Sequence, residues 1–188
     1  MKKILVINNN IDPPYSGCVD IVRLLTQLAP QFGAMEIISK HAPAGELPAH
    51  ADGFAAVCIS GSKTRIDEEA PWITQQLNFI RELHAKKIPT LGICYGEQLI
   101  AKAFGAPGST GASKVEEFGW VKMETLPAAK KSVVFSSLPA TFYSFCFHSD
   151  EVYSVPDNFS VVASNEFCAV QAFAVLDAPM WGVQFHPE

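Results

Sequence analysis

The chain has 188 residues, of which 48% are hydrophobic and 18% are charged, and its formal net charge is −5. This length suits one domain with a substantial buried core, and the composition is that of a folded globular protein rather than a disordered chain. The acidic balance, with no basic run, argues against nucleic acid or anionic lipid as the main partner.

No stretch of the sequence is long and apolar enough to act as a signal peptide or to span a bilayer. The five cysteines are an odd set without a Cys-x-x-Cys pair, so neither a disulfide scaffold nor a zinc site is indicated. We therefore expect a soluble cytoplasmic protein that has no membrane association, no metal and no cofactor.

The first half of the chain alternates short apolar runs with amphipathic segments. Buried strands are predicted at 4–7, 36–39, 54–59 and 89–93, and helices at 21–28, 71–86 and 97–104. The second helix is well marked, because acidic residues precede Pro71 at its first turn and Lys86 and Lys87 lie at its last turn, where they complement the helix dipole. Such alternation implies right-handed crossovers and a mostly parallel central sheet flanked by helices.

From about residue 115 the pattern changes to short strand-like runs with little helix. These runs lie at 119–124, 132–135, 141–147, 160–163, 169–174 and 180–185. We expect them to add antiparallel strands to the parallel sheet. The predicted fold is thus α/β, and with no repeat or flexible linker we treat 1–188 as a single domain.

Cys94 is a candidate nucleophile, since it stands between Gly92 and Gly96 where a predicted strand meets a predicted helix. A nucleophile at such a turn is held on a strained backbone, and the glycines make room for the bend. The helix N-terminus favours a thiolate, and the N–H of Tyr95 is a donor for a developing oxyanion. The alternative is a small buried hydrophobe, which is our interpretation of Cys58, Cys146 and Cys168.

A thiolate nucleophile needs a base, and the base needs an orienting acid. His186 and Glu188 are two residues apart at a predicted strand end, so in extended geometry they point to the same face. His148 and Asp150 have the same spacing, and the residues alone leave both pairs open. A metal site on Cys146 and His148 is disfavoured, because no further ligand lies at usable spacing.

The glycine turn at 59–62 follows the third predicted strand. Backbone N–H groups in such a turn can face a ligand at the carboxyl edge of an α/β sheet, although an ordinary strand-to-helix turn is the simpler alternative.

Two motifs, GICYGEQ at 92–98 and GVQFHPE at 182–188, resemble those of the class I (triad) glutamine amidotransferases in order and separation. The segments at 60–73, 117–120, 148–152 and 169–173 resemble the stand-alone, GMP-synthase-like branch in particular. The fold that this resemblance implies is the flavodoxin-like α/β domain of that family.

The resemblance implies a reaction in which Cys94 attacks the side-chain amide of glutamine, giving a γ-glutamyl thioester and ammonia. His186 would serve as the base and Glu188 as the acid that orients it, which leaves His148 a structural or pocket-wall role. The remaining implied site residues are Gly61 and Tyr95 for the oxyanion hole, and Gln98 and Ser149 for substrate binding.

Three features depart from the family pattern. The loop at 60–63 lacks a second glycine and a proline that synthetase members often carry. Glu97 replaces a frequent histidine, and an additional anion beside Cys94 would raise the pKa of the thiol. Family members normally continue beyond the position of Glu188, so one expectation is a domain that lacks its C-terminal closing segment.

Two enzymatic roles compete on this basis. One is a glutaminase that feeds ammonia to a synthetase on another chain, since the sequence contains neither a Ser-Gly-Gly-x-Asp-Ser run nor a Gly-rich phosphate loop. The other is a free-standing hydrolase of γ-glutamyl peptides, whose extra carboxylate could bind Lys63 or Arg65 unless these are simply solvated charges. A non-catalytic regulatory domain on the same scaffold is the third alternative.

Overall fold

The structure, a computed structural model, describes residues 1–188 and contains one nine-stranded sheet with the strand order β2-β1-β3-β4-β9-β8-β7-β5-β6. The strands are β1 (Lys2–Asn8), β2 (Met35–His41), β3 (Ala56–Ile59), β4 (Thr90–Ile93), β5 (Thr110–Thr125), β6 (Thr141–Val152), β7 (Phe159–Ser164), β8 (Ala172–Val175) and β9 (Met180–Val183). The helices are α1 (Ser16–Leu28), α2 (Pro71–Ala85) and α3 (Tyr95–Phe104).

The sheet has a parallel half and an antiparallel half, which confirms the predicted α/β fold with added antiparallel strands. Strands β2, β1, β3, β4 and β9 run parallel to one another. The other four neighbouring pairs are antiparallel. Because β4 pairs directly with β9, the two halves of the chain share one continuous sheet.

Side chains of β1 alternate between the two faces of the sheet, and each face carries its own core. Leu5 and Ile7 pack with α2 and α3, whereas Val6 packs with Ile21 of α1. This alternation is the ordinary period of a strand. The molecule therefore has three layers, with α1 on one side of the sheet and α2 and α3 on the other.

The predicted strand at 132–135 is wrong, because this segment forms turns. The amide of Ser136 donates to the carbonyl of Ser132, and the Ser132 hydroxyl accepts from the amides of Val134 and Phe135. Backbone groups that are satisfied locally have no need of a strand partner. Phe135 is buried, so the apolar character of the run reflects burial of a turn rather than a strand.

The long hairpin of β5 and β6 curls back toward the parallel half. The amide of His186, beyond the end of β9, donates to the carbonyl of Phe145 in β6 at 2.8 Å. This contact brings β6 over the carboxyl ends of β3, β4 and β9, where the candidate site lies. No helix in the structure combines the length and apolar character that crossing a bilayer requires.

Candidate active site

Cys94 occupies a sharp turn between β4 and α3, as the flanking glycines predicted. Its backbone angles are φ 52° and ψ −108°, a region in which non-glycine residues are strained. A Cβ on Gly92 would lie 2.4 Å from the carbonyl oxygen of Gly96, and one on Gly96 would lie 2.3 Å from that of Ile59. Both positions thus require glycine, because the turn packs directly against neighbouring backbone.

The turn places the Cys94 side chain at the positive end of the α3 dipole, as its N-cap residue. The side chain is almost buried, and its Sγ lies 3.8 Å from the carbonyl oxygen of Phe147 in β6. A sulfur at a helix N-terminus beside a histidine has the surroundings of a reactive cysteine. The other four cysteines are also buried and free.

His186 and Glu188 form the pair that the spacing predicted, and they lie beside Cys94. The Nδ1 of His186 is 2.8 Å from the Oε1 of Glu188. Burial by itself would lower the pKa of His186, but its interactions with Cys94 and Glu188 outweigh burial and raise that pKa to about 10. The site therefore stabilises an imidazolium between a sulfur and a carboxylate.

Glu188 faces the first turn of α1, a feature that the sequence alone did not indicate. A Cβ on Gly17 would lie 3.4 Å from the Oε1 of Glu188. The free N–H groups and the dipole at this helix end favour a carboxylate. The N-terminal helix thus contributes to the electrostatics of a pair located at the other end of the chain.

The predicted oxyanion residues both lie at the thiol. The N–H of Gly61 donates to no protein acceptor, and a Cβ on Gly61 would lie 3.1 Å from the Cε1 of His186 and 3.4 Å from the Cβ of Cys94. Tyr95 is the first residue of α3, so its N–H has no acceptor within the helix. Their role toward a substrate oxygen stays a prediction.

The loop that carries Gly61 is fixed by Asn9, a residue that the sequence pattern marked only as the end of a strand. The Asn9 amide donates to the Ser60 hydroxyl at 3.0 Å, and its side-chain Nδ2 donates to the Ser60 carbonyl at 3.0 Å. The Ser62 hydroxyl donates to the Asn9 carbonyl at 2.7 Å. An Asn at the carboxyl end of a parallel strand was the available signal, because such ends meet at one edge of the sheet.

Gln98 and Ser149 line a cleft on one side of Cys94. The Nε2 of Gln98 donates to the carbonyl of Asp150 at 2.8 Å and to the Oε1 of Gln184 at 2.9 Å. Both hydrogens of the Gln98 amide are therefore used within the protein, and they fix the segment that carries Ser149. Contact of either residue with a substrate stays a prediction.

Arg65 lines the same cleft, where it pairs with Asp150 at 2.6 Å. The second oxygen of Asp150 accepts the amide of Ile66 at 2.8 Å. Asp150 thus ties the loop after β3 to the end of β6. No sequence pattern indicated this pair, because its members are 85 positions apart.

His148, the rival base, lies in a buried network rather than at the thiol. Its Nε2 is 2.9 Å from the Oε2 of Glu117, and its Nδ1 is 3.0 Å from the Asp150 carbonyl. Glu117 also accepts hydrogen bonds from Asn165 and Gln171, both at 2.6 Å. This network supports the wall of the cleft from behind.

Cys146 stands beside this network, and its candidate ligand atom lies within 4.8 Å of those of Glu117 and His148. Glu117 is thus a third possible ligand that the spacing along the sequence did not reveal. Both oxygens of Glu117 are already engaged by hydrogen-bond donors. The arrangement is that of a satisfied hydrogen-bond network, and it gives no support to a metal site.

Glu97, where we expected an additional anion, lies in the first turn of α3 beside Cys94. The residue is completely buried, and neither carboxyl oxygen has a hydrogen-bond partner. Burial, with a further contribution from Cys94, raises the pKa of Glu97 well above its ordinary value of 4.5. Burial therefore favours the neutral form of Glu97 and reduces the negative charge that it places near the sulfur.

A model of a known protein family matches most of the chain. Residues 20–188 match the family model described as glutamine amidotransferase class-I. The chain belongs to the class I glutamine amidotransferases. The matched residues include both candidate motifs and every site residue described above except Asn9 and Gly17.

Curated relatives of this amidotransferase include two archaeal proteins, each named as a subunit of the glutamine-hydrolyzing GMP synthase. The one from Methanocaldococcus jannaschii is 40% identical over 102 residues, which are 54% of this chain and 52% of that protein. The one from Thermoplasma acidophilum is 35% identical over 137 residues, which are 73% of this chain and 64% of that protein. The matched region therefore spans about half to two thirds of these relatives.

Solved structures share the fold of this amidotransferase. A glutamine amidotransferase from Thermotoga maritima superposes with a TM-score of 0.81 at 26% identity, covering 98% of this chain and 75% of that one. A protein from Thermoplasma acidophilum, described as a GMP synthase subunit, gives a TM-score of 0.77 at 31% identity, covering 100% of this chain and 84% of that one.

Proposed function

We propose that this chain hydrolyses the side-chain amide of glutamine by covalent catalysis at Cys94. The proposal rests on one observation, which is that three features lie together at the Cys94 sulfur. They are the His186–Glu188 pair, the N-terminus of α3 and the unpaired N–H of Gly61. We further propose that 1–188 act as a single amidotransferase domain. The family membership supports this assignment.

In the first half of the reaction, the Cys94 sulfur attacks the amide carbon, and the negative charge moves to the carbonyl oxygen. The N–H groups of Gly61 and Tyr95 stabilise that oxyanion. His186, which holds the thiol proton, passes it to the nitrogen as the C–N bond breaks, so that ammonia leaves and a γ-glutamyl thioester remains.

In the second half, His186 accepts a proton from water, and the resulting hydroxide attacks the thioester carbon. The C–S bond breaks, the sulfur departs as the thiolate and glutamic acid leaves, which restores the thiolate beside a protonated His186. Glu188 holds the imidazole ring by its Nδ1 throughout, so that the Nε2 faces the reacting atoms.

The test is glutamate release from L-glutamine by the wild-type chain and by Cys94→Ala. Cys168→Ala is the matched control, because Cys168 is also buried but its thiol contacts the Val170 carbonyl and not the site. We expect turnover to be lost in Cys94→Ala alone. Equal activity of Cys94→Ala and wild type would overturn the mechanism, and an inactive wild-type chain with an intact fold would favour a regulatory domain.

We also propose that a synthetase on another chain accepts the ammonia. The relatives named as GMP synthase subunits favour a two-chain arrangement. An exposed aromatic face on the β5–β6 hairpin provides a surface for such a partner, and it consists of Phe118, Trp120, Tyr143, Phe145 and Phe147.

The aromatic face adjoins the site directly. Trp120 is 75% exposed, and its ring stacks edge-on against Phe145, which lines the cavity beside His186. Large exposed aromatic side chains in one patch are typical of protein interfaces. A partner seated here would close the mouth of the cavity over Cys94.

The measurement for this proposal is binding of the GMP synthetase chain from the same organism, together with its effect on glutamate release. Trp120→Ser should weaken binding at least tenfold and leave the basal glutaminase rate unchanged. Phe32→Ser, a similarly exposed aromatic away from the hairpin, is the control. Unchanged binding by Trp120→Ser would contradict the proposal, and dimerisation of the chain through Trp120 would assign the face to a second copy.

A further inference from the structure

Strand β2 forms one edge of the nine-stranded sheet, and its only neighbour in the sheet is β1. On the face where α1 packs, an open groove reaches the strand, so the helix does not cover this edge. Residues that line the groove include Thr26, Ala29, Pro30, Met35 and Ile37. A free edge presents a row of backbone donors and acceptors with which another strand can pair. The edge of β2 is therefore a candidate interface.

Hydrogen bonds at the two ends of β2 show which residues face outward. The carbonyl of Ala34 accepts from the amide of Lys2 at 3.3 Å, and the amide of Ala42 donates to the carbonyl of Asn8 at 3.0 Å. Even-numbered residues of this segment therefore direct their backbone groups toward β1. Because the direction alternates along a strand, odd-numbered residues direct theirs outward. The outward-facing residues are Met35, Ile37, Ser39 and His41.

Only His41, the last of these residues, has its outward backbone groups satisfied within the chain. Its amide donates to the Oε2 of Glu46 at 3.0 Å, and its carbonyl accepts from the amide of Glu46 at 3.1 Å. No side chain or loop forms such bonds with the backbone of Met35, Ile37 or Ser39. The open part of the edge therefore spans 35–39 and ends where Glu46 covers His41.

The residues along this edge are complementary to a second copy of themselves. Glu36 and Lys40 stand two positions on either side of Ile38 and project from the same face of the strand. An antiparallel copy centred on Ile38 would place each Glu36 opposite Lys40 of the other copy. It would also place each Ile37 opposite Ser39, and these are outward-facing residues that can exchange N–H···O bonds.

The charges select this register over the others. A centre at Ile37 or at Ser39 leaves Glu36 and Lys40 opposite uncharged residues, and a centre at either charged residue opposes it to its like. Neither residue makes an ion pair within the chain, although Lys3 of β1 is the register neighbour of Glu36. Opposite charges that face each other across antiparallel strands stabilise the pairing, whereas like charges destabilise it.

We propose that the open edge of β2 pairs with β2 of a second copy of this chain, in an antiparallel register centred on Ile38. The result is a two-fold symmetric dimer in which both copies use the same surface. Because β2 and β6 are the two opposite edges of the sheet, the aromatic face of the β5–β6 hairpin stays free for another partner. The inference goes beyond the proposed function and does not depend on turnover.

The first experiment is sedimentation velocity of the wild-type chain from about 10 µM to about 1 mM, because an interface of one short strand per copy is small and its dimer is expected to be weak. Lys40→Glu and Glu36→Lys each place like charges opposite each other twice. We expect either variant to weaken dimerisation by about tenfold or more. Glu166→Lys and Lys131→Glu, which reverse exposed charges away from β2, are the matched controls, and circular dichroism checks the fold of every variant.

Two combinations of these variants restore opposite charges. The double variant Glu36→Lys/Lys40→Glu re-creates both pairs with their charges exchanged, and its dimerisation should lie within about threefold of that of the wild type. A mixture of the two single variants should form a heterodimer, since each lysine then faces a glutamate, although each variant alone is largely monomeric. A change in net charge or a loss of folding cannot produce this pattern.

Three results would overturn the inference. A wild-type chain that stays monomeric over the whole range would leave Glu36 and Lys40 as solvated charges of the kind that keep edge strands from associating. A dimer that survives both single variants, or that Trp120→Ser abolishes, would belong to another surface. Failure of both the double variant and the mixture to dimerise would mean that the single variants do not act through the proposed pairing.

Discussion

Replacement of Glu97 by glutamine removes a buried titrating group with almost no change in volume. Glu97 is completely enclosed, and a Cβ on Gly182 of β9 would lie 2.5 Å from its Cγ. The absence of a side chain at Gly182 therefore makes the space that Glu97 fills. Neither oxygen has a hydrogen-bond partner, and burial outweighs the favourable dipole of the α3 N-terminus, in whose first turn Glu97 lies.

The sign of the effect follows from the raised pKa of Glu97. In the unfolded chain the group loses its proton near its ordinary value of 4.5, whereas burial keeps it protonated in the folded chain to higher pH. The folded state then binds one more proton than the unfolded state, so the free energy of unfolding falls as pH rises. The slope is about 1.4 kcal/mol per pH unit until the folded group ionises.

Glu97→Gln lacks this slope. The free energy of unfolding of Glu97→Gln minus that of the wild type should therefore increase by about 1.4 kcal/mol for each pH unit above roughly pH 5. The measurement is urea unfolding of both proteins at pH 5.5, 6.5 and 7.5. Glu166→Gln is the control, since Glu166 is exposed on the loop after β7 and makes no ion pair. The pH at which the difference levels off reports the pKa of Glu97 in the folded chain.

Parallel stability curves for wild type and Glu97→Gln across this range would refute the reasoning. They would mean that Glu97 is ionised when folded and is an anion beside Cys94. Glutamate release gives an independent check. The exchange of a neutral acid for a neutral amide should leave kcat within about threefold of wild type, whereas removal of an anion would change the pH profile of the thiol.

Three further predictions concern the thiol and its neighbours. Gly61→Ala should lower kcat by up to about 10²-fold, because its Cβ would stand 3.1 Å from the Cε1 of His186 and 3.4 Å from the Cβ of Cys94 and would displace the reacting groups; an unchanged kcat in a folded variant would mean that the reacting groups tolerate this crowding. Glu188→Gln should lower the pKa of His186 from about 10, as followed by NMR titration, and reduce kcat by roughly 10²- to 10⁴-fold; an unshifted titration would contradict the pairing. Cys94→Gly should be more stable than Cys94→Ala by about 1 kcal/mol in thermal unfolding, because φ is 52° at this position; the reverse order would mean that the turn is unstrained.

The turn at Cys94 could be predicted from sequence because its determinants are local. Gly92 and Gly96 are needed by close backbone contacts around the thiol, and the helix begins at Tyr95. The His186–Glu188 pair could be predicted for the same reason, since a spacing of two in extended chain sets its geometry. Their roles in catalysis rest on the proposed function.

Contacts between distant segments could not be predicted in this way. The support of the oxyanion loop by Asn9 joins residues 51 positions apart. The Arg65–Asp150 pair joins the loop after β3 to the end of β6, and these meet only when the β5–β6 hairpin curls over the sheet. Neither pairing has a local pattern. The strand predicted at 132–135 failed for a related reason, because a short apolar run does not distinguish a buried turn from a strand.

Glu97 and Glu188 are two carboxyl groups near Cys94 that differ in their burial and in their polar partners. Glu188 has the Nδ1 of His186 at 2.8 Å from its Oε1, and the first turn of α1 lies beside it. Glu97, one helical turn from Cys94, has no polar partner, and burial raises its pKa. Glu188 thus has the imidazole as its partner, whereas Glu97 has none. A glutamate at position 97 is compatible with a reactive thiol because burial favours its neutral form.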